Sequence, residues 1–174
     1  MKLNRGIFRL PIFVAILILG FSIQSHSKQN DDAVIESARA FRQHVADVFV
    51  AGDIDQVAAV LHPDAIIKLS GANPIVGKEA ANAFYAFFFD NFRVVSAPLD
   101  GDGVWYVSKN GQMVITTFHQ IVTLEIKGTC GNGGGGCQTM VLDIEVTQTY
   151  EKASKNSNNW LIVHEHNATP TPLL

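Results

Sequence analysis

The strongest constraint on the fold is a pair of long segments in which apolar and polar residues alternate. They span residues 112–126 and 139–151, and alternation with a period of two is typical of β-strands that have one buried face. The segment between them, residues 129–138, is rich in glycine and is typical of a turn. The two segments are therefore predicted to form one long β-hairpin with a glycine-rich tip.

Helical periodicity lies ahead of this hairpin. Apolar residues recur at helical spacing after Asp31-Asp32, which predicts a first helix from about residue 32 to residue 50. Asp53 can cap a short second helix that ends near Leu61, and residues 78–92 predict a third helix. The third helix carries five phenylalanines that cover more than one of its faces, so it must be nearly surrounded or must contact a partner.

The remaining strands are shorter. Residues 64–69 predict one strand, residues 94–99 and 104–107 predict a hairpin around the turn at 100–103, and residues 160–167 predict the last strand. Helices are concentrated towards the start of the chain and strands towards its end. This order predicts an α+β fold rather than an α/β fold.

The first 27 residues have the pattern of a secretory signal peptide. Met1 to Arg9 is basic, Leu10 to Ile23 is almost wholly apolar, and Ser25-His26-Ser27 supplies small residues for cleavage after Ser27. An uncleaved anchor is the alternative, but the apolar run has about 14 residues where a spanning helix needs about 20. We expect a signal peptide at 1–27, a single domain at 28–174, export to the periplasm or the medium, and no stable membrane span after cleavage.

The net charge argues against a nucleic-acid-binding protein. The chain has 13 basic and 16 acidic residues, and three of the basic residues, with none of the acidic ones, lie in the leader. The remainder therefore holds ten basic against 16 acidic residues and has a net charge of −6. Nucleic-acid binding depends on Lys and Arg that neutralise phosphates, so this balance is unfavourable for it.

The chain contains two cysteines, Cys130 and Cys137, at the ends of the glycine-rich tip. Two cysteines alone cannot form a four-ligand zinc or iron–sulfur site. An exported protein meets an oxidising environment, and the flexible residues between the two thiols allow the sulfur atoms to meet. We therefore predict a Cys130–Cys137 disulfide.

Four short sequence segments, in this order along the chain, resemble those of the nuclear-transport-factor-2-like superfamily, which includes the SnoaL-like domains. They are Ala51-Gly52-Asp53, then Leu61-His62-Pro63-Asp64-Ala65, then Gly77-Lys78-Glu79-Ala80 with Phe84-Tyr85, and last Trp160-Leu161-Ile162-Val163-His164-Glu165-His166. Within the superfamily the chain most resembles the association (hub) domain of calcium/calmodulin-dependent protein kinase II. The resemblance implies a cone-shaped roll in which a strongly curved, mostly antiparallel sheet wraps around N-terminal helices. It also implies an internal pocket open at one end, and a homodimer or a ring of dimers formed through the outer face of the sheet.

The catalytic and pocket residues of the similar families can be compared with the residues at the matching positions of this chain. Ketosteroid isomerases place a general base where this chain has Leu69 and an oxyanion tyrosine where it has Val45. Without these two groups, isomerase chemistry of that kind is not expected. The arginines of the hub pocket correspond here to Gln148 and Asn167, which are polar but neutral. An amide pair cannot clamp a carboxylate as two arginines do, so a pocket is expected without that preference.

Strict alternation divides the last strand into two faces. One carries Trp160, Ile162, His164 and His166, and the other carries Leu161, Val163, Glu165 and Asn167. Since the resemblance implies that Asn167 points inward, Glu165 should also point inward and the two histidines outward. Two histidines are fewer than the three protein ligands that catalytic zinc normally takes, so we expect no metal and no other cofactor.

The predicted site residues are Glu165 as a catalytic acid or base, with Gln148, Asn167, Tyr85 and His44 as ligand-binding residues. Two of these have structural alternatives, since His44 could be half-exposed and Tyr85 could simply pack with its hydroxyl satisfied. Burial in an apolar cone disfavours the charged form of a carboxylate, which suits proton transfer near neutral pH. For the same reason, replacing Glu165 by Gln or Leu is expected to raise stability.

The predicted function is an exported domain that binds an unknown small molecule in an internal pocket. If the domain is also an enzyme, its expected chemistry is proton transfer of the isomerase, cyclase or hydrolase type; the sequence does not decide whether it is catalytic. The alternative is a non-catalytic self-association module like the hub domain, in which the phenylalanine-rich helix and the outer face of the sheet make the contacts. The order of elements along the chain does not separate the two.

Overall fold

The computed structural model describes the backbone of residues 11–129 and 136–168, and the side chains from residue 31 onward. This part of the chain forms three helices and a seven-stranded, curved and unclosed sheet, so the predicted α+β class is confirmed. The helices are α1 (Pro11–Ala51), α2 (Ile54–Val60) and α3 (Lys78–Asn91). The strands are β1 (Leu61–Leu69), β2 (Ile75–Val76), β3 (Phe92–Ser96), β4 (Leu99–Val107), β5 (Met113–Ile126), β6 (Thr139–Lys152) and β7 (Trp160–Ala168).

The sheet has the order β2-β1-β7-β6-β5-β3, and β4 also pairs with β5. The β1–β7 pair is parallel and the other strand pairs are antiparallel. All three helices contribute to one buried cluster with the sheet, which includes Ala38 of α1, Val57 of α2, Phe89 of α3, Leu124 of β5 and Tyr150 of β6. Because the sheet curves around the helices, its concave face and the helices enclose the interior of the domain.

Helix α1 begins at Pro11, well before the start predicted near residue 32. The chain from Phe21 to Ala51 holds no glycine or proline, so no residue in this stretch stops the helix ahead of Asp31-Asp32. Of the predicted signal peptide, residues 1–10 lie outside the described residues and the rest falls within α1. Among the helices that the structure describes, none is long and apolar enough to cross a membrane.

The long hairpin predicted from alternation is present as β5 and β6, which pair without a break from Met113 opposite Glu151 to Glu125 opposite Thr139. Their inward residues are buried or half-buried and their outward residues are mostly more exposed, as the alternation predicts. Cys130 and most of the glycine-rich tip lie outside the described residues, so the Cys130–Cys137 disulfide stays a prediction.

The short hairpin predicted around residues 100–103 is wrong. Strands β3 and β4 do not pair with each other but both pair with β5, and the supposed turn lies within β4. Asp100 lies opposite His119 and Val104 lies opposite Thr117, so the extra residues between them form a bulge. Gly101 and Gly103 have φ angles of 71° and 76° and supply the left-handed backbone that this bulge requires.

A second bulge changes the faces of the last strand. Tyr150 pairs with Ile162 and Thr149 pairs with His164, which leaves Val163 as an extra residue in β7. Trp160 and Ile162 are therefore buried on the same side as Glu165, and their predicted position on the face of the two histidines is wrong. The indole Nε1 of Trp160 donates a hydrogen bond to Oγ of Ser37 at 3.0 Å, which ties the start of β7 to α1.

Candidate functional site

A cavity of about 410 Å³ lies between the helices and the concave face of the sheet. This volume falls within the range of pockets that enclose small ligands. Most of its wall is apolar, with aromatic side chains from α1 and α3 and aliphatic side chains from β5 and β6. The polar side chains in the wall are Arg42, Ser70, Tyr85, Gln120, Gln148, Glu165 and Asn167.

Glu165 is the acidic side chain in this wall, and 8% of the residue is exposed. Three side chains from three elements donate hydrogen bonds to its carboxylate. The hydroxyl of Tyr85 on α3 and Nδ2 of Asn167 on β7 reach Oε1 at 3.1 and 2.8 Å, and Nε2 of Gln148 on β6 reaches Oε2 at 2.7 Å. Since all three donors are neutral, the carboxylate is hydrogen-bonded without a direct counter-ion among the residues that the structure describes.

Tyr150 fixes the orientation of the Gln148 side chain. Its hydroxyl donates a hydrogen bond to Oε1 of Gln148 at 2.5 Å, which leaves the Nε2 group to face Glu165. Burial, with a further contribution from the charge of Glu165, raises the pKa values of both Tyr85 and Tyr150. Both phenols therefore stay protonated at neutral pH and act as donors in one continuous network.

The carboxylate of Glu165 has an acceptor position that no described side chain occupies. An ionised carboxylate offers about four acceptor positions on its two oxygens. Tyr85 and Asn167 occupy Oε1, whereas Gln148 alone occupies Oε2. Oε2 is thus the atom that can accept a proton or a hydrogen bond from a molecule in the cavity.

The structure brings together four of the five residues that the sequence assigned to the site, namely Glu165, Gln148, Asn167 and Tyr85. The fifth residue, His44, is not in the cavity wall. His44 lies on the exposed side of α1, next to rather than on the helix face that carries Val45 into the cavity wall. Within the described residues, no cluster of three or more His, Cys, Asp or Glu side chains is arranged to hold a metal ion.

Sequence reasoning missed Arg42, which lies in the cavity wall and is 4% exposed. Its guanidinium carbon lies 4.9 Å from the ring centroids of both Trp105 and Phe118. One signal was available, because Arg42 follows buried Ala38 by four residues and precedes Val45 by three. A charged residue at that spacing stands on the apolar face of its helix.

The two positions at which ketosteroid isomerases carry their base and oxyanion donor are both in the cavity wall. Leu69 and Val45 place only hydrocarbon there. The carboxylate in this cavity wall is therefore on β7, in Glu165, instead of on β1.

Residues 41–150 match the sequence model of the SnoaL-like domain family, which is more than half of the 174-residue chain. A search among curated proteins gives no significant match. The structural comparison places the fold among nuclear-transport-factor-2-like domains, with identities low enough that the likeness concerns the fold alone.

Three solved structures illustrate that likeness. A nuclear transport factor 2-like superfamily protein from Salmonella enterica is 16% identical, with a TM-score of 0.67 over 83% of this chain and 96% of that one. A candidate calcium/calmodulin-dependent protein kinase II association domain from Xanthomonas campestris is 15% identical, with a TM-score of 0.60 over 78% and 86%. A candidate scytalone dehydratase from Novosphingobium aromaticivorans is 10% identical, with a TM-score of 0.69 over 83% and 89%.

Proposed function

Since the chain belongs to the SnoaL-like domain family, we propose that it binds a small, largely apolar molecule in its cavity and that Glu165 acts there as the acid–base group. The observation that carries this proposal is the buried Glu165 carboxylate, which lies in the cavity wall with three neutral donors and one free position on Oε2. A group held in this way is positioned before the ligand arrives, which is what acid–base catalysis requires.

The proposed chemistry is proton transfer, of the isomerase, cyclase or hydrolase type. Oε2 takes a proton from the bound molecule and returns it at another position, while Tyr85 and Asn167 hold Oε1. The dehydratase named among the similar structures belongs to the same broad reaction class, since dehydration also moves a proton. The largely apolar wall lowers the polarity around this transfer, which strengthens the electrostatic interactions within the site.

Export is part of the proposal. It is supported by the basic start, the apolar run of about 14 residues and the small residues before residue 28, which together fit a cleaved signal peptide. The predicted Cys130–Cys137 disulfide fits the same compartment.

Self-association is a second candidate role, favoured by the outer face of the sheet. Tyr106 and Ile115 lie opposite each other on β4 and β5, and they are 64% and 39% exposed. Val104 on β4 and Val141 on β6 are also exposed. An apolar surface of this kind favours a homodimer through the outer face, and such a dimer leaves the cavity on the concave side accessible.

The binding proposal is tested with N-phenyl-1-naphthylamine, a neutral dye whose fluorescence rises in apolar surroundings. Leu142 lines the cavity and neighbouring Val141 is 63% exposed on the outer face, so Leu142→Trp and Val141→Trp add an indole on opposite sides of β6. We expect the wild type to bind the dye and Leu142→Trp to weaken binding about tenfold or more, because the indole occupies the cavity.

Val141→Trp is the matched control and should bind the dye as the wild type does. Equal dye affinities for the wild type and both variants, or no binding to the wild type, would contradict a ligand-binding cavity.

A further inference from the structure

Arg42 is a cation in the interior of the domain. Its side chain is 5% exposed, and it reaches the cavity from α1 between the rings of Trp105 and Phe118. Moving a guanidinium from water into such surroundings is unfavourable unless the charge is paired and its N–H groups are hydrogen-bonded. The hydrogen-bond and charge partners of Arg42 therefore indicate whether the protein alone compensates this buried charge.

The hydrogen bonds of Arg42 are incomplete. Nη1 donates to the backbone carbonyl oxygen of Asp102 at 2.8 Å, but Nε finds no acceptor among the residues that the structure describes. Nη2 lies 4.0 Å from Oδ1 of Asp102, which is beyond hydrogen-bond distance. The guanidinium edge formed by Nε and Nη2 thus has no close acceptor within the described protein.

Neighbouring Arg39 shows what this edge normally binds. Its Nε and Nη2 donate to the two carboxylate oxygens of Asp102, each at 2.7 Å, in the parallel arrangement that arginine makes with carboxylates. Asp102 is therefore already engaged and is 59% exposed, so it compensates the charge of Arg42 only weakly. Arg42 stands one helical turn further on with the same pair of nitrogen atoms, but no carboxylate of the described residues lies within hydrogen-bond distance of them.

No other acid in the described part of the chain completes the site. Among the described acids, the carboxylate that comes within 4.0 Å of Arg42 is that of Asp102. The carboxylate of Glu165 accepts its hydrogen bonds from three neutral donors. Burial lowers the pKa of Arg42, which is the expected effect of desolvation on an incompletely paired cation. The cavity therefore contains a buried positive charge that an anionic group on a ligand can neutralise.

We infer that the ligand is a small organic acid, in which an apolar aromatic or aliphatic body fills the cavity and an acidic group binds the guanidinium of Arg42. This inference rests on the proposed function, because it assigns a ligand class to the same cavity. The inference differs from the expectation based on the sequence, in which the neutral side chains of Gln148 and Asn167 gave the pocket no preference for an acidic ligand. The positive charge is supplied from α1 instead of the last two strands.

Two dyes with the same rings test the charge directly. 8-Anilinonaphthalene-1-sulfonate carries the rings of N-phenyl-1-naphthylamine and adds one anionic group. We expect the wild type to bind the sulfonate at least about tenfold more tightly than the neutral dye, since charge-assisted hydrogen bonds are the stronger ones. Arg42→Met should abolish this preference while it keeps the affinity for the neutral dye.

Arg93→Met is the matched control, because Arg93 is an exposed cation on β3 that pairs with Glu125 outside the cavity wall. It should keep the preference for the sulfonate. A preference that persists in Arg42→Met, or disappears in Arg93→Met, would overturn the inference by showing that overall charge is responsible.

A measurement on the wild type alone covers the case in which Arg42→Met does not fold. The bound neutral dye is displaced with 1-naphthoate or with 1-naphthamide, which have nearly the same shape and differ in charge. We expect the acid to displace the dye at a concentration at least about tenfold lower than the amide. Equal displacement would overturn the role of Arg42 and leave the binding function intact, whereas no binding of the neutral dye would overturn both.

Discussion

Glu165→Leu is expected to destabilise the domain by about 2–4 kcal/mol, because it leaves buried donors without an acceptor. The hydroxyl of Tyr85, Nε2 of Gln148 and Nδ2 of Asn167 all donate to this carboxylate. Each buried donor that loses its partner costs about 1–3 kcal/mol, and the relief of burying the carboxylate offsets part of the sum. The measurement is the free energy of unfolding in urea, compared at equal m-values.

Glu145→Leu provides the control, since Glu145 is an exposed residue of β6 and its replacement should change stability by no more than about 0.5 kcal/mol. A Glu165→Leu variant as stable as the wild type would show that the network does not hold the carboxylate. The sequence alone predicts a gain in stability for this variant, because it indicates that Glu165 lies inside the cone but does not reveal the donors that satisfy its carboxylate.

Gly103→Ala should destabilise the domain by about 2–5 kcal/mol, through backbone strain and overpacking together. A Cβ atom at this position would lie 2.6 Å from the backbone oxygen of Thr117 and 3.2 Å from Nη1 of Arg42. The φ of 76° is also unfavourable for alanine. Thermal or urea unfolding measures the loss.

Gly101→Ala separates the two causes. Gly101 has nearly the same φ, 71°, but a Cβ atom there would have no neighbour within 4 Å. We expect it to cost only the backbone strain of about 1–2 kcal/mol. Equal losses for the two variants would contradict the close approach of the β4 bulge to β5 and Arg42.

The features that follow from local pattern were predictable from the sequence. Strict alternation in residues 112–126 and 139–151 fixes which side chains of β5 and β6 point inward, and so it places Gln148 in the interior. The inward position of Glu165 was also predicted. That prediction started from Asn167, which the family resemblance placed inward, and applied the alternation back along the strand. The bulge at Val163 lies before this segment and leaves that alternation intact.

The features that depend on tertiary contacts were not predictable. The bulge at Val163 reverses the alternation for Trp160 and Ile162, and no residue type in β7 marks it. The spacing in α1 places Arg42 on the apolar face of the helix, but arginine is ordinarily solvated, and it is the rings of Trp105 and Phe118 and the carbonyl of Asp102 that hold it inside. These contacts come from β4 and β5, far along the chain, and so the spacing in α1 alone does not reveal them.

The central claim is that the cavity brings an apolar molecule against the Glu165 carboxylate. It is tested most directly by the ring opening of 5-nitrobenzisoxazole, in which a base removes the C3 proton, the N–O bond breaks and a coloured cyanophenolate forms. We expect the wild type to accelerate this reaction and Glu165→Gln to lower the rate by about 100-fold or more, as for loss of a positioned base. Glu145→Gln, the control on the exposed face of β6, should react as the wild type does. Equal rates for the wild type and Glu165→Gln would contradict the claim.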